Sequence, residues 1–389
     1  MSSNNSNKTD QRVLIICPYS APSACGIWVR VLSDAKALQK AGCEVHVFSS
    51  NIIKGTNQTS GDYEEIEGIK IHRFKVKFKL GGTSMFWFFY KKLKEINPDI
   101  IHTHGYRHPH SLQSLIIGKL LKKKVFITTH GPFEKDKNRS TFMKLIDFLY
   151  DKIFWGWWEL KSYNKVIRIA DWEISFLKQF GVKNSILIPN GIKSSFYNNV
   201  KAKDNPTKRL FYMGRIDAVK RIEWIIDAAK ALPEYQFMIK GPIQYPGYTK
   251  RAVGNETEIS NIQFLDSNLP NLFIENTKYS PEEFIHEADQ SDIFLLSSTR
   301  ESFSQVAIEA MSRGVVVISS NTKGPNEFIK TGINGFIVNT ADEMIEAIKA
   351  IYVNWNEYLK ISQNAIETAK NFNEEITTKK LIELYSSVS

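Results

Sequence analysis

Four short segments of this chain gather residue types suited to a phosphorylated ligand rich in hydroxyl groups. In the first, Gly214 and Arg215 are followed five residues on by Lys220. Glycine lets the backbone pass close to a ligand, a guanidinium can fork onto phosphate oxygens, and an ammonium adds a compact charge. Cations beside a helix start oppose its dipole, which sets this segment apart from an ordinary solvated helix end. In the second, running from Ser297 to Gly314, Ser302 and Gln305 have the spacing of a capping box. Val306, Ala307, Ala310 and Met311 form an apolar stripe, and Gly314 stops the helix. Glu301 then lies just before the helix and Glu309 about two turns in. Two carboxylates at different heights can grip two sets of vicinal hydroxyls, a ribose and a hexose, with the amides near Phe303 and Ser304 meeting phosphate between them. Glu309 also reads as an exposed helix residue.

The third segment, Pro18 to Trp28, holds only Gly26 where a dinucleotide fingerprint needs three spaced glycines. It reads either as a phosphate cradle at a helix N-terminus or as a plain connecting loop. The fourth is histidine-rich, with His102, His104, His108 and His110, and separately His130 before Gly131 and Pro132. A metal site is one reading, but no Cys, Asp or Glu lies among the four to complete a ligand set. Hydrogen bonders lining a cleft are the other, with His130 at a turn, facing a ligand or satisfied structurally. No Asp-x-Asp pair occurs, so no metal is expected and cations must do the charge neutralisation.

These segments need elements to hold them. Short β-branched runs, RVLIIC, EVHVFS, DIIHTH and KVFITTH, alternate with helical periods in the first half, beginning with a helix from about Ile27 to Ala41. RLFYMG, YQFMIKG, DIFLLSS and VVVISS repeat the scheme in the second, with helices beginning near Lys220, Pro281, Phe303 and Ala341. The alternation predicts an α/β protein of two Rossmann-like, doubly wound domains, with ligands beyond the carboxyl ends of the strands. The length of 389 residues suits two such domains. They are expected at 1–190 and 191–370, with a closing helix in 371–389 packing back on the first domain.

Residues 1–190 carry 29 Lys and Arg against 16 Asp and Glu, and residues 191–389 carry 22 against 25. A one-sided basic surface calls for an anionic partner. With no nucleic-acid-binding signature, an anionic ligand or membrane surface fits better than nucleic acid. Residues 85–94 and 142–165 set aromatic rings, among them Trp155, Trp157 and Trp158, beside lysines, as at a headgroup interface. Buried core is the competing reading of those rings. No run is long enough for a signal-peptide core or a membrane span, and three cysteines crowded before residue 44 are no disulfide framework. A cytoplasmic protein follows, peripheral on the inner face of the cell membrane if the basic surface is used.

Gly214-Arg215 with Lys220, Glu301 followed eight residues later by Glu309, and Ile188-Pro-Asn-Gly-Ile192 occur in that order, and over nearly its whole length the chain resembles the retaining glycosyltransferases of family 4. The resemblance implies the GT-B fold, two such domains facing across a cleft, and a nucleotide-diphosphate sugar as donor with no further cofactor. It implies that Arg215 and Lys220 bind the donor diphosphate, Glu309 the ribose and Glu301 the donor sugar. His130 would lie beside the reacting sugar, and the Gly26 loop, Gly214, Phe303, Ser304 and Gln305 would border the phosphates. The acceptor would be a glycan or a lipid-linked molecule, attacked on the face the leaving phosphate departs from. Two positions depart from the family's pattern: Cys25-Gly26 stands for paired glycines, and Phe303-Ser304-Gln305 for Phe-Gly-Leu. Side chains thereby enter the phosphate and sugar region, so the donor is not inferred from the family. A sugar-nucleotide epimerase would need an acid and a base on the sugar ring. An inactive glycan-binding scaffold would have lost the phosphate cations, and both remain.

Overall fold

The computed structural model describes residues 11–23, 25–54, 56, 58–80, 84–132, 141–154, 156–200, 203–243 and 269–387. Two compact units emerge from the backbone contacts. The first runs to Gly191 and takes up the C-terminal stretch from Glu374, and the second spans Ile192–Asn373.

The first unit is built on β1 (Arg12–Ile16), β2 (Glu44–Ser50), β3 (Tyr63–Ile66) and β4 (Ile69–Phe74), followed by a small antiparallel pair, β5 (Phe78–Leu80) and β6 (Ser84–Phe86). It continues through β7 (Ile100–His104), β8 (Lys124–Thr128), β9 (Lys165–Arg168) and β10 (Ser185–Leu187). Among the described residues the main sheet has eight strands in the order β10-β9-β8-β7-β1-β2-β4-β3, parallel except for the edge strand β3. Its helices are α1 (Gly26–Lys40), α2 (Tyr90–Ile96), α3 (Pro109–Leu120), α4 (Thr141–Leu149), α5 (Gly156–Ser162) and α6 (Glu173–Gln179).

Both faces of this sheet are covered, which is why its central strands read as continuous apolar runs. Leu14 and Ile16 point into one core with Ile101, Ile127 and Trp87. Val13 and Ile15 point into the other with Val31, Leu38 and Phe126, and Leu381, Leu384 and Tyr385 of the last helix complete it.

The second unit contains β11 (Arg209–Met213), β12 (Gln236–Lys240), β13 (Leu272–Glu275), β14 (Ile293–Leu296), β15 (Val316–Ser320) and β16 (Phe336–Val338). They form a parallel sheet in the order β13-β12-β11-β14-β15-β16. Its helices are α7 (Glu223–Ala231), α8 (Pro281–Gln290), α9 (Gln305–Ser312), α10 (Pro325–Phe328), α11 (Ala341–Val353) and α12 (Trp355–Lys370); α13 (Glu374–Ser386) belongs to the first unit.

The chain reverses direction across each sheet at the strand that feeds a candidate loop. In the first unit β1 lies between β2 and β7 and leads toward Gly26; in the second β11 lies between β12 and β14 and ends at Gly214. Neighbouring crossovers leave in opposite directions there, opening a crevice at the carboxyl ends.

Helix starts differ from the sequence expectation at two of these loops. Near Lys220 only a short 3-10 turn, Ala218–Lys220, forms before α7 begins at Glu223. The helix expected from the Ser302 and Gln305 spacing also starts later, at Gln305. The residue before α9 is Ser304, which makes no side-chain cap, and the Gln305 amide donates forward to Glu309 at 3.2 Å. A capping box forms at α8, between Ser280 and Glu283.

Candidate active site

In the second unit, β11 is buried and delivers its chain to Gly214, whose N–H donates to the Lys240 carbonyl at 3.0 Å. Gly241 permits this approach: a Cβ there would sit 1.7 Å from the Gly214 oxygen, and its φ of +156° disfavours a side chain. Buried Asp217 then organises the turn. One of its oxygens accepts from the Val219 amide at 3.1 Å and the other pairs with Arg215 at 2.9 Å. The Tyr212 hydroxyl donates to the Arg215 carbonyl at 2.6 Å.

Hydrogen bonds join this turn to the end of β14. The Thr299 amide donates to the Val219 carbonyl at 2.7 Å, the Ser297 hydroxyl to the Lys220 carbonyl at 2.7 Å, and the Arg221 guanidinium to the Ser297 carbonyl at 2.7 Å. The result is an ion pair between Lys220 and Glu301, with the Ser298 hydroxyl donating to the same carboxylate oxygen at 2.7 Å. Residues 81 positions apart are thereby set side by side.

Beyond Glu301 the backbone bends sharply. The Gly324 N–H donates to the Glu301 carbonyl at 2.7 Å, and a Cβ on Gly324 would lie 2.5–2.7 Å from the Phe303 backbone. Phe303 is buried against Phe328 and Phe372. Ser304 adopts φ +68°, a left-handed conformation costly for any residue with a Cβ, and its buried hydroxyl has no partner among the described residues. Glu309 is half-buried inside α9 rather than exposed. Loss of water raises its carboxyl to about 7, opposed by the Gln305 amide and by Lys193.

The first unit contributes two of the sequence-derived positions. Gly26 opens α1 behind Cys25, which makes no side-chain cap, and a Cβ there would meet nothing within 4 Å. His130 stands after β8 at φ +60°, followed by Gly131 at φ +63°. Its ring shares a hydrogen bond of 2.9 Å with His104, and burial, reinforced by Arg30, drops its pKa to about 3, so the imidazole is neutral at physiological pH.

The other histidines are committed locally. His102 bonds Thr128 at 2.8 Å and Tyr385 at 2.7 Å, and His110 bonds the His104 carbonyl at 2.9 Å. No cluster of His, Cys, Asp and Glu able to hold a metal occurs among the described residues.

Sequence reasoning missed the group that holds the His130 turn. Glu173, fully buried at the start of α6, accepts from the Thr129 hydroxyl, from the Gly131 amide at 3.3 Å and from the Ile169 amide at 2.8 Å. Burial raises its carboxyl to about 7 even against these donors. It looks like any acidic residue in a first helical turn, so spacing carried no signal. Asp217 did carry one, since an Asp directly before a turn is a ready cap.

Family comparison follows the two units. The family model described as Glycosyltransferase Family 4 matches residues 25–196, and the one described as Glycosyl transferases group 1 matches residues 194–368. An uncharacterised 41.2 kDa protein of the cps region of Klebsiella pneumoniae is 24% identical over 71% of this chain and 75% of its own length. The 2-deoxystreptamine N-acetyl-D-glucosaminyltransferase of Niallia circulans is 24% identical over 64% of this chain and 65% of its own.

Among solved structures, sucrose-phosphate synthase from Thermosynechococcus elongatus superposes with a TM-score of 0.74 at 19% identity, covering 97% of this chain and 99% of that one. HepE of Anabaena, solved with UDP and glucose, gives 0.68 at 15% identity, covering 97% and 100%. With both family models matched in order and the fold shared across nearly the full length, the chain belongs to the group 1 glycosyltransferases of GT-B fold.

Proposed function

We propose that the protein is a retaining hexosyltransferase that moves a sugar from a nucleotide-diphosphate donor to a glycan or lipid-linked acceptor without a metal. The observation that carries this reading is the meeting of Gly214, Arg215 and Lys220 with Glu301 at the carboxyl ends of adjacent strands. A glycine turn beside two cations suits a diphosphate, and a carboxylate next to them suits the hydroxyls of the attached sugar.

In this reading the bond between the anomeric carbon and the phosphate oxygen breaks, and negative charge grows on the diphosphate. Arg215 and Lys220 stabilise that charge more than the ground state. The amides of Phe303 and Ser304 border the phosphates, Gln305 steadies Glu309, and Glu309 accepts from the ribose hydroxyls. The acceptor oxygen bonds the anomeric carbon on the face the phosphate leaves, and its proton passes to a phosphate oxygen. His130, neutral and fixed by His104, hydrogen-bonds the sugar, and the Gly26 loop closes over the phosphates.

The reading extends to a cytoplasmic enzyme in peripheral contact with an anionic membrane, supported by the basic excess of residues 1–190. It is tested by screening nucleotide sugars for thermal stabilisation and analysing the product by NMR. Transfer with retained anomeric configuration that persists in excess chelator is expected. An inverted product, a free epimerised nucleotide sugar, or activity lost in chelator and restored by a divalent ion would overturn it.

A further inference from the structure

What draws a diphosphate to a site is the charge left over once the site's own ion pairs are made. At the Gly214 turn both cations are matched by a carboxylate of the same unit. Arg215 pairs with Asp217 at 2.9 Å, and Lys220 pairs with Glu301. These four charges cancel, so a diphosphate meets an excess of positive charge from them only where one carboxylate gives way.

The two carboxylates are held differently. The Asp217 side chain is fully buried and is tied to the backbone of its own turn through the Val219 amide at 3.1 Å. Moving it would undo the turn. The Glu301 carboxylate has no such tie: the Lys220 ammonium and the Ser298 hydroxyl, at 2.7 Å, both go to one of its oxygens, Oε1. Its other oxygen has no hydrogen-bond partner among the described residues. Lys220 reaches it on a flexible four-carbon stem and makes no other ion pair among the described residues. The backbone under both is fixed separately, by Thr299 on the Val219 carbonyl and Ser297 on the Lys220 carbonyl, each at 2.7 Å. The Lys220 to Glu301 pair can therefore open by side-chain rotation alone, leaving the turn intact.

We propose that Glu301 is an internal competitor for Lys220, and that it makes the site prefer a nucleotide sugar to the nucleoside diphosphate left after transfer. The proposal rests on the nucleotide-sugar reading above and adds to it the discrimination of donor from product. A diphosphate arriving at Lys220 must take the ammonium from the carboxylate or share it, and two anions beside one cation repel. When the diphosphate carries a sugar, hydroxyls of that sugar donate to the displaced carboxylate and offset the lost pair. Once the sugar has been transferred, nothing donates to it. The carboxylate then closes back on Lys220 and opposes the nucleoside diphosphate. Selection of this kind comes from a repulsive element directed at the unwanted ligand, with no added attraction to the wanted one. It also speeds departure of the product, a step that commonly limits turnover.

Calorimetric titration tests it, with UDP, GDP, ADP, CDP and dTDP as probes, each beside the nucleotide sugar of the same base that most raises the melting temperature of wild type. Glu301→Gln keeps the shape of the side chain and removes its charge. It should bind the nucleoside diphosphate at least about tenfold more tightly than wild type, the scale of a partly desolvated ion pair that no longer has to be broken. The matching nucleotide sugar should gain less than about threefold or bind more weakly, since its hydroxyls lose their acceptor. Glu301→Ala should show the same gain for the diphosphate, so the result does not hang on the folding of one variant. In the Lys220→Ala background Glu301→Gln should tighten the diphosphate by less than about threefold, because the contested ammonium is gone. Unchanged or weaker diphosphate binding in both Glu301 variants, or a gain shared equally by the nucleotide sugar, would refute the competition and leave the nucleotide-sugar reading standing. Binding of none of the probes or nucleotide sugars by wild type would refute both.

Discussion

Replacing Lys220 by alanine separates what this residue does for the fold from what it does for turnover. Its side chain is 16% exposed and that of its partner Glu301 is 12% exposed, so Lys220→Ala leaves a largely desolvated carboxylate without its counter-charge. Stranding a buried charge costs about 3–5 kcal/mol. Glu301 keeps the Ser298 hydroxyl at 2.7 Å and some water, which reduces the expected loss to about 1–3 kcal/mol. At about 2–4 °C per kcal/mol for a unit of this size, the melting temperature should fall by about 2–12 °C. Turnover should fall at least about a hundredfold, since a charge-stabilising donor is removed from the departing diphosphate. The double variant Lys220→Ala, Glu301→Gln removes the stranded charge, so it should recover most of the stability and none of the turnover. Calorimetry and steady-state transfer assays on the three proteins decide the matter. Near-normal turnover in a folded Lys220→Ala protein, or recovery of turnover along with stability in the double variant, would refute the diphosphate role.

Glu309 should make nucleoside-diphosphate binding depend on pH. Its folded pKa of about 7 lies above the ordinary 4.5, so its contribution to stability is full below about 4.5 and is lost as pH rises through about 7. The ionised form left above that range is the better acceptor for ribose hydroxyls. Affinity for the donor's nucleoside diphosphate by calorimetry should therefore rise more between pH 6 and 8 in wild type than in Glu309→Gln, and equal rises would count against the ribose contact. Ser304→Gly removes both a left-handed side chain and an unpartnered buried hydroxyl, and should stabilise the protein by about 1–2 kcal/mol in thermal unfolding; a lower melting temperature would contradict the strain argument. Gly324→Ala forces a Cβ within 2.5–2.7 Å of the Phe303 backbone and should destabilise by about 1–3 kcal/mol while weakening nucleoside-diphosphate binding at least about tenfold. Wild-type affinity there would mean that the Phe303 amide does not border the ligand. Glu173→Ala removes an acceptor shared by the Thr129 hydroxyl and the Gly131 and Ile169 amides, and should cost about 2–4 kcal/mol; a change below about 1 kcal/mol would show that other acceptors replace the carboxylate.

What the sequence determined by itself was whatever depends on local period and local chemistry. Alternating apolar runs and helical stretches specify two parallel sheets, because a strand buried on both faces must be apolar throughout and its crossover helix amphipathic. The Gly214 to Lys220 and Glu301 to Glu309 spacings were legible for the same reason. What the period could not show was the pairing of Lys220 with Glu301, which hangs on the register of β11 with β14 and on bonds such as Thr299 to Val219. Glu173 was invisible because its partners come from the end of β8 and the loop after β9, which meet only when the sheet is assembled. The α9 start moved because Gly324 pulls the backbone after Glu301 into a bend that places Ser304 in a left-handed conformation, a long-range contact outweighing a local capping preference. The two aromatic and lysine stretches are alike in composition, yet Trp87 and Phe89 pack against Phe74, Phe48 and His110, while Phe142, Leu145 and Phe148 are turned outward by the hold of Arg107 on Asp147 and Asp151. Composition sets how much apolar surface there is, and only tertiary contacts decide which part of it meets water.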